Sequence, residues 1–118
     1  MLSQQLRILQ IDTVTRFITE RRRFSSPRRN LYILGIKEAG RALYHFRDGI
    51  RVLEKDQVYF LHKDDSYSVD TQETGEVFSV HFTALEPVST RSFFAPVSDP
   101  ESVIHRFERL EQVFLRKG

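Results

Sequence analysis

The sequence contains no cysteine, which excludes disulfide bridges, thiolate nucleophiles and cysteine-ligated zinc. It also has no apolar run near the ~20 residues that a membrane-spanning helix requires. The first ten residues, MLSQQLRILQ, lack the apolar segment of a secretory signal. These absences predict a cytoplasmic protein without a membrane partner. The length of 118 residues predicts a single domain, with one core and room for one modest pocket.

Positive charge is concentrated near the N-terminus, although the net charge is only +2. Residues 1–30 contain seven arginines against Asp12 and Glu20, and five of these arginines lie in ERRRFSSPRRN. Clustered arginines can neutralise nucleic-acid phosphates, but no DNA- or RNA-binding motif accompanies them. We interpret the cluster Arg21–Arg29 as a solvated basic loop or edge strand, with nucleic-acid binding as the less favoured alternative.

Short apolar runs separated by turn residues predict an antiparallel β structure. Asp48-Gly49 is a strong hairpin signal, and the glycines at 40 and 75 lie in two further predicted turns, 38–40 and 72–75. The predicted strands are residues 7–11, 13–18, 31–36, 41–46, 50–53, 57–61, 67–71 and 76–82. Strands of this length and spacing are typical of a small sandwich or barrel.

A helix is predicted over residues 99–117. Asp99 can cap its start, and Pro100 suits the first helical position. Four apolar residues then recur at spacings of four, three and four, which places them in one stripe: Val103, Phe107, Leu110 and Phe114. The stripe is expected to pack on the protein's own barrel, and the alternative is an interface between two subunits of a homodimer.

Three segments, YILGIKEAGRALYHF, IRVLEKDQVYFLHKDDSYSV and VFSVHF, are similar to the sensor domain of AraC-family transcription regulators. Lys55-Asp56 stands where that family usually has Gly-Asp, and His62 replaces its usual proline. The C-terminal FERLEQVFLRKG resembles the helix that follows the barrel in the same family. The positions that match the family pattern are Leu53, Val58, Phe60, Leu61, Tyr67, His81 and Phe82.

The resemblance implies a mostly β fold, a small antiparallel cupin barrel of the jelly-roll type followed by a C-terminal helix. It implies an N-terminal arm and first strands at 1–30, a barrel core at 31–86 and the helix at 99–117. In the family's arabinose-responsive member an N-terminal arm closes over the ligand, and residues 1–10 are candidates for that role. The family's helix-turn-helix domain is absent from this chain, so DNA would be contacted only through a further domain. A homodimer is the expected assembly.

No metal site is predicted in this barrel. A cupin metal site takes three histidines and one glutamate, and its first motif needs a His-x-His pair before the Asp48-Gly49 hairpin. That strand has His45 alone, and Tyr67 stands where the second motif has a histidine. No G-x-S-x-G nucleophile motif is present either. We therefore expect no metal, no cofactor and no catalysis, with a small cupin enzyme acting on a sugar or small acid as the alternative.

Without a metal, the barrel interior is expected to hold a small-molecule effector, with a carbohydrate favoured. The small Ala42 would leave volume, and tyrosines would supply ring faces and hydroxyl groups. Predicted ligand-binding residues are Tyr32 (or its neighbour Ile33), Ala42, Tyr44 and Tyr67 inside the barrel and His62 at its mouth. The alternative is a plugged barrel that serves as a ligand-free dimerisation module. His81 lies between Val80 and Phe82 and is predicted to point away from the core.

Overall fold

The computed structural model describes residues 7–85 and 87–117, with the backbone alone for Lys117. Within these residues, seven strands form one antiparallel sheet that is followed by a C-terminal helix. The elements are β1 (Ile8–Thr19), β2 (Arg22–Ser26), β3 (Tyr32–Phe46), β4 (Gly49–Glu54), β5 (Gln57–Leu61), β6 (Tyr67–Ala84), β7 (Phe93–Pro96) and α1 (Pro100–Lys117). Residues 1–6 of the predicted arm lie outside the described part, and Ile8 already begins β1.

Two long strands, β3 and β6, form the centre of the sheet. They pair antiparallel along the whole of β3 and most of β6, from Tyr32 opposite Phe82 to Phe46 opposite Tyr67. In the first region, residues 32–37 of β3 pair with residues 77–82 of β6. There β1 pairs with β6 on one side, and β5 followed by β7 lies beside β3 on the other; we call this part the first half-sheet. In the second region, residues 42–46 of β3 pair with residues 67–71 of β6. There β2 pairs with β6 and β4 pairs with β3, and we call this part the second half-sheet. Both strands bend between the two regions, so the half-sheets face each other.

Two glycines allow the paired strands to bend together. Gly40 has a φ of +85°, a conformation that L side chains rarely adopt. A Cβ atom there would come within 2.8 Å of the Glu73 carbonyl oxygen, and a Cβ on Gly75 would overlap the Ala39 carbonyl. The register shifts at this point of β3, between Lys37 and Ala42. The glycines therefore serve a close approach of two backbones at a bulge.

The predicted turns at 38–40 and 72–75 are consequently wrong. Residues 31–36 and 41–46 belong to one strand, β3, and residues 67–71 and 76–82 belong to β6. The segments predicted at 7–11 and 13–18 likewise form the single strand β1, which contains two bulges. The hairpin predicted at Asp48-Gly49 is confirmed, with Phe46 opposite Gly49. Strand β7 was not predicted.

The first half-sheet is buried on both faces. Its outer face packs under α1 and forms a helix-side core, which includes Tyr32, Ile36, Phe78, Val80 and Phe82. Its inner face contributes Tyr59, Leu61 and Val77 to an inter-sheet core, to which the second half-sheet adds Ala42, Leu53, Tyr67 and Val69. A strand with two buried faces explains why LYILGI is apolar almost without interruption.

The helix begins as predicted. The Ser102 backbone N–H donates to Asp99 Oδ1 at 3.2 Å, and Pro100 occupies the first helical position. The apolar stripe covers the chain's own helix-side core, and the Phe107 ring meets Phe78 edge-on at 5.6 Å. The stripe residues proposed as dimer-interface candidates, Val103, Phe107, Leu110 and Phe114, are thus already in contact with the sheet. Across the described chain, no helix is long and apolar enough to cross a membrane.

Replacement of Gly75 by alanine is expected to destabilise the fold by about 2–3 kcal/mol, because the new methyl group overlaps the Ala39 carbonyl. Urea unfolding measures the loss. Thr74→Ala is the matched control, since Thr74 is exposed and its loss should change the free energy of unfolding by no more than about 0.5 kcal/mol. Equal stability of the Gly75 variant and wild type would contradict the close approach.

Asp99→Ala is expected to lower the free energy of unfolding by about 1 kcal/mol, because the Ser102 N–H loses its cap. Ser98→Ala, one residue earlier and exposed, is the control and should behave as wild type. Thermal unfolding followed by circular dichroism compares the two variants. If Asp99→Ala loses no more free energy of unfolding than Ser98→Ala, the cap does not stabilise α1.

Candidate ligand-binding cavity

A cavity of about 560 Å³ lies between the two half-sheets. The side chains that line it come from the inner faces of β3, β5 and β6, from the end of β1, and from β2 and the loop after it. The wall on the first half-sheet is formed by Ile33, Tyr59, Leu61, Val77, Ser79 and His81. The second half-sheet contributes Tyr44, Tyr67 and Thr71. The interior of the barrel is therefore partly open.

Aromatic rings line a large part of this cavity. The Tyr44 and Tyr67 rings lie 5.3 Å apart, and Phe94 of β7 meets Tyr44 edge-on at 5.0 Å. Tyr59 fits under Gly35, where a Cβ atom would come within 2.5 Å of its ring. Burial raises the pKa of Tyr44, Tyr59 and Tyr67 above the usual value of 10. All three hydroxyls are thus protonated at neutral pH and can donate or accept hydrogen bonds.

Arg29 brings a positive charge to the cavity. Its guanidinium carbon lies 5.0 Å from the centre of the Tyr67 ring. Nη1 donates to Ser26 Oγ at 3.3 Å, to the Asp65 carbonyl at 3.4 Å and to the Pro27 carbonyl at 3.5 Å. Nε and Nη2 are buried, and neither has a hydrogen-bond partner among the described residues. One edge of the guanidinium is therefore held in place while the other is unsatisfied.

His81 lies on the opposite wall. Its ring stacks on Phe17 at 5.7 Å, and its Nε2 is 3.5 Å from Ser79 Oγ. Burial lowers the pKa of His81, the charge of Arg29 lowers it further, and Asp12 opposes both effects. The imidazole is consequently neutral at pH 7. It adds a hydrogen-bonding group to the cavity without a second positive charge.

The structure brings together only some of the predicted ligand-binding residues. Tyr44 and Tyr67 line the cavity, and Ala42 is buried in the inter-sheet core beside it. Tyr32 lies on the other face of the sheet, where its ring stacks on Phe82 at 5.7 Å. Its neighbour Ile33 points inward instead. Successive residues of a strand face opposite sides, so the inward position of Ile33 excludes Tyr32 from the cavity.

His62 does not reach the cavity. Its Nδ1 accepts a hydrogen bond from the Asp64 N–H at 3.1 Å, so its Nε2 donates to the Val88 carbonyl at 3.1 Å. Its ring meets Tyr32 edge-on at 5.0 Å on the helix side. Both ring nitrogens are thus used within the chain, and the predicted ligand contact of His62 has no geometric support.

His81 was predicted to point away from the core, and this is wrong. Val80 and Phe82 face the helix-side core, which leaves His81 on the cavity side. The prediction assumed one buried face and one exposed face, but the first half-sheet has two buried faces. Alternation identifies which residues share a face, and it does not tell whether that face meets solvent.

Arg29, Tyr59 and Ser79 are cavity residues that the sequence did not reveal. Tyr59 had a signal, because it alternates with Val58 and Phe60 in QVYFL and shares its face with Leu61. Arg29 had none, since it belongs to a cluster of similar arginines, of which the exposed Arg22 also borders the cavity. Arg21, Arg22 and Arg23 are exposed, on or just before edge strand β2, and Arg28 pairs with Asp64 at 3.0 Å.

No metal-binding group is found in the described part of the chain, where no three His, Asp or Glu side chains converge. His81 is the histidine of the cavity, while His45 and His105 are exposed elsewhere on the fold. Among the lining residues that the structure describes, the one carboxylate belongs to Glu20, at the exposed rim. The cavity thus offers hydroxyl groups, aromatic rings, a neutral imidazole and two guanidinium groups, from Arg29 and from the exposed Arg22 at its rim.

The stability of the fold is expected to fall as the pH drops below about 6.5. In the unfolded chain His81 binds a proton near its ordinary pKa of 6.5, and in the folded protein burial delays protonation to lower pH. The unfolded state therefore holds more protons in this range, and the contribution of His81 is at most about 1.4 kcal/mol per pH unit. Urea unfolding at pH 7, 6 and 5 should show a shallower decline for His81→Gln. His105→Gln, on the exposed face of α1, should match wild type.

The architecture is similar to that of a solved structure. No protein-family model and no curated protein matches the chain. Among solved structures, the protein YhaK from Escherichia coli is similar, with a TM-score of 0.61 and 13% sequence identity over 77% of this chain. The matched part is 45% of YhaK, so the chain spans less than half of that protein. At this identity the likeness shows the fold alone. The predicted fold class is confirmed: a mostly β, antiparallel, cupin-like fold with a C-terminal helix.

Proposed function

We propose that the chain is the effector-binding domain of a bacterial AraC-type transcription regulator, and that it binds a small molecule in its barrel without a metal. The cavity beside Arg29 is the observation that carries the proposal. Buried polar groups without partners are costly, and native proteins keep few of them. A ligand that accepts hydrogen bonds from Nε and Nη2 of Arg29 would remove that cost. The free energy recovered in this way would contribute to the affinity of the ligand.

The cavity supports a ligand better than a plugged barrel. A barrel filled by its own side chains would leave little open volume, whereas here a cleft of about 560 Å³, open to solvent along Ile18, Arg22 and Phe24, lies between the half-sheets. The lining also has the composition of a small-molecule site, because aromatic walls surround a few polar groups. Tyrosine rings pack on the apolar faces of a sugar, while tyrosine and serine hydroxyls bond to its hydroxyl groups. A carbohydrate or a related polar compound is the effector that we favour.

A second depression, of about 740 Å³, lies on the outer face of the second half-sheet. Its residues include Leu43 and His45, which alternate with the inward-facing Ala42 and Tyr44. The groups around it are surface groups, and Arg23 there already pairs with Asp70. The interior cavity is therefore the better candidate site.

Ligand binding would be coupled to the rest of a regulator through the elements around the cavity. Arg29 lies in the loop after β2, and Phe17 and Thr19 belong to the end of β1. A ligand that contacts this rim would favour one arrangement of β1, β2 and the loop over another. Such a shift requires different ligand affinity in the two arrangements. The proposed regulator would be a cytoplasmic homodimer. The difference in ligand affinity between the two arrangements would set the position of its attached DNA-binding domain.

A thermal-shift screen with sugars and small metabolites tests the proposal. A ligand present at one hundred times its dissociation constant stabilises the folded state by about 2.7 kcal/mol, which is a rise in melting temperature of about ten degrees. A rise that needs a divalent metal, or turnover of the ligand, would favour the enzyme alternative. The proposal fails if no compound shifts the melting temperature.

Tyr44→Ala and Tyr67→Ala are each expected to weaken binding of a hit from that screen about tenfold or more, because each variant removes a ring from the cavity wall. His45→Ala is the matched control, since His45 follows Tyr44 in the same strand and points to the outside. Calorimetry on folded variants gives the dissociation constants. Unchanged affinity in both tyrosine variants would exclude this wall as the ligand site.

A further inference from the structure

We infer that the ligand of this cavity carries a carboxylate, and that the Nε and Nη2 edge of Arg29 binds it. The inference rests on the proposed function, because it assumes that the cavity is a ligand site. It goes further in naming the chemical group that the ligand must present.

The geometry of Arg29 supports a planar, two-oxygen partner. Nη1 is engaged by Ser26, Pro27 and Asp65, and these three contacts hold the guanidinium against the Tyr67 ring. The Nε–H and one Nη2–H bond of a guanidinium point in the same direction and lie in one plane. This pair matches the two oxygens of a carboxylate, which can accept both hydrogen bonds at once.

The charges around the cavity also favour an anion. Arg16, Arg23, Arg28, Arg41 and Arg51 each pair with a carboxylate of the chain. For Arg29 the described residues provide carbonyl and hydroxyl oxygens but no such ion pair. The neighbouring imidazole and tyrosines are neutral at pH 7. A partly buried cation without a counter-charge is costly, and a ligand with one negative charge would neutralise it.

A second cation lies next to the cavity. The Lys37 side chain is 1% exposed, and its Nζ donates to Thr19 Oγ1 at 3.1 Å. Thr19 itself lines the cavity. Burial lowers the pKa of Lys37, and its protonated form adds positive potential on the side of β1, whereas Glu20 lies at the exposed rim. The balance of these groups favours an anion in the interior.

The remaining walls describe the body of the ligand. Tyr44 and Tyr67 lie beside the guanidinium and offer flat apolar surface. Ser79, Thr71 and His81 offer hydrogen bonds deeper in the cavity. Both a sugar acid, which has ring hydroxyls, and an aromatic acid, which has a flat apolar ring, meet this description. Their shared group is the carboxylate, and the experiment below separates them.

Isothermal titration calorimetry with four compounds tests the inference on the wild-type protein. The probes are glucuronate and its neutral counterpart glucose, and benzoate and its neutral counterpart benzamide. At least one acid should bind about tenfold or more tightly than its neutral counterpart, as a charge-assisted pair of hydrogen bonds would produce. Preference for glucuronate would indicate a sugar acid, and preference for benzoate an aromatic acid.

Variants then assign the effect to Arg29. Arg29→Met keeps much of the side chain's length and should reduce acid binding to the level of the neutral counterpart. Arg29→Lys retains the charge without the paired N–H groups and should bind the acid with intermediate affinity. Arg28→Met is the matched control, because it makes the same change in charge at the adjacent residue, whose guanidinium pairs with Asp64. Its acid affinity should equal that of wild type.

The outcomes separate this inference from the proposed function. If neutral compounds bind as tightly as the acids, the carboxylate assignment is wrong and the proposed function stands. If the wild-type protein binds acids but Arg29→Met binds them equally well, Arg29 is not the partner. If none of the probes binds to the folded protein and the wider screen also finds no ligand, both fail. The comparison of acid and neutral pairs uses wild-type protein, so it remains decisive even if Arg29→Met does not fold.

Discussion

The pairing of β3 with β6 is the constraint on which the rest of the structure depends. The two strands stay hydrogen-bonded through a common bend, and Gly40 and Gly75 allow their backbones to meet there. Because both strands continue past the bend, one strand pair contributes to two facing half-sheets. The cavity exists only because these half-sheets face each other, so a methyl group at Gly75 would disturb the fold and the site together.

The two faces of the first half-sheet have different roles. The outer face is closed by α1, and Arg16 joins the layers by contacting Glu38 at 2.8 Å and Glu108 at 3.1 Å. The inner face meets the second half-sheet at an aromatic wall that leaves open volume. A tightly packed layer thus supports a more open one. This arrangement suits a binding site. Tyr59 and His81 line the cavity from a sheet whose opposite face is tightly packed, so their positions are fixed.

Polar groups inside the cavity depend on the surrounding packing for their chemistry. Burial raises the pKa of the tyrosines further above neutral pH and lowers the pKa of His81, so these groups are uncharged at pH 7 and Arg29 is a charged group beside them. The guanidinium is held by three acceptors on one side and by the Tyr67 ring below it. These contacts leave the buried Nε and Nη2 edge without a hydrogen-bond partner among the described residues, and this edge is the basis of the proposed recognition of an acid.

Local patterns in the sequence determined the mostly β fold, the hairpin at Asp48-Gly49, the Asp99-capped helix and its apolar stripe. Each depends on residues within a few positions of one another, where propensity and spacing suffice. Only the tertiary structure decided that Gly40 and Gly75 permit a shared bend, that Ile33 rather than Tyr32 faces inward, and that His81 lines the cavity. It also selected Arg29 from a run of similar arginines. These outcomes depend on which distant strands pair and on what covers each face, and neither is encoded in local spacing.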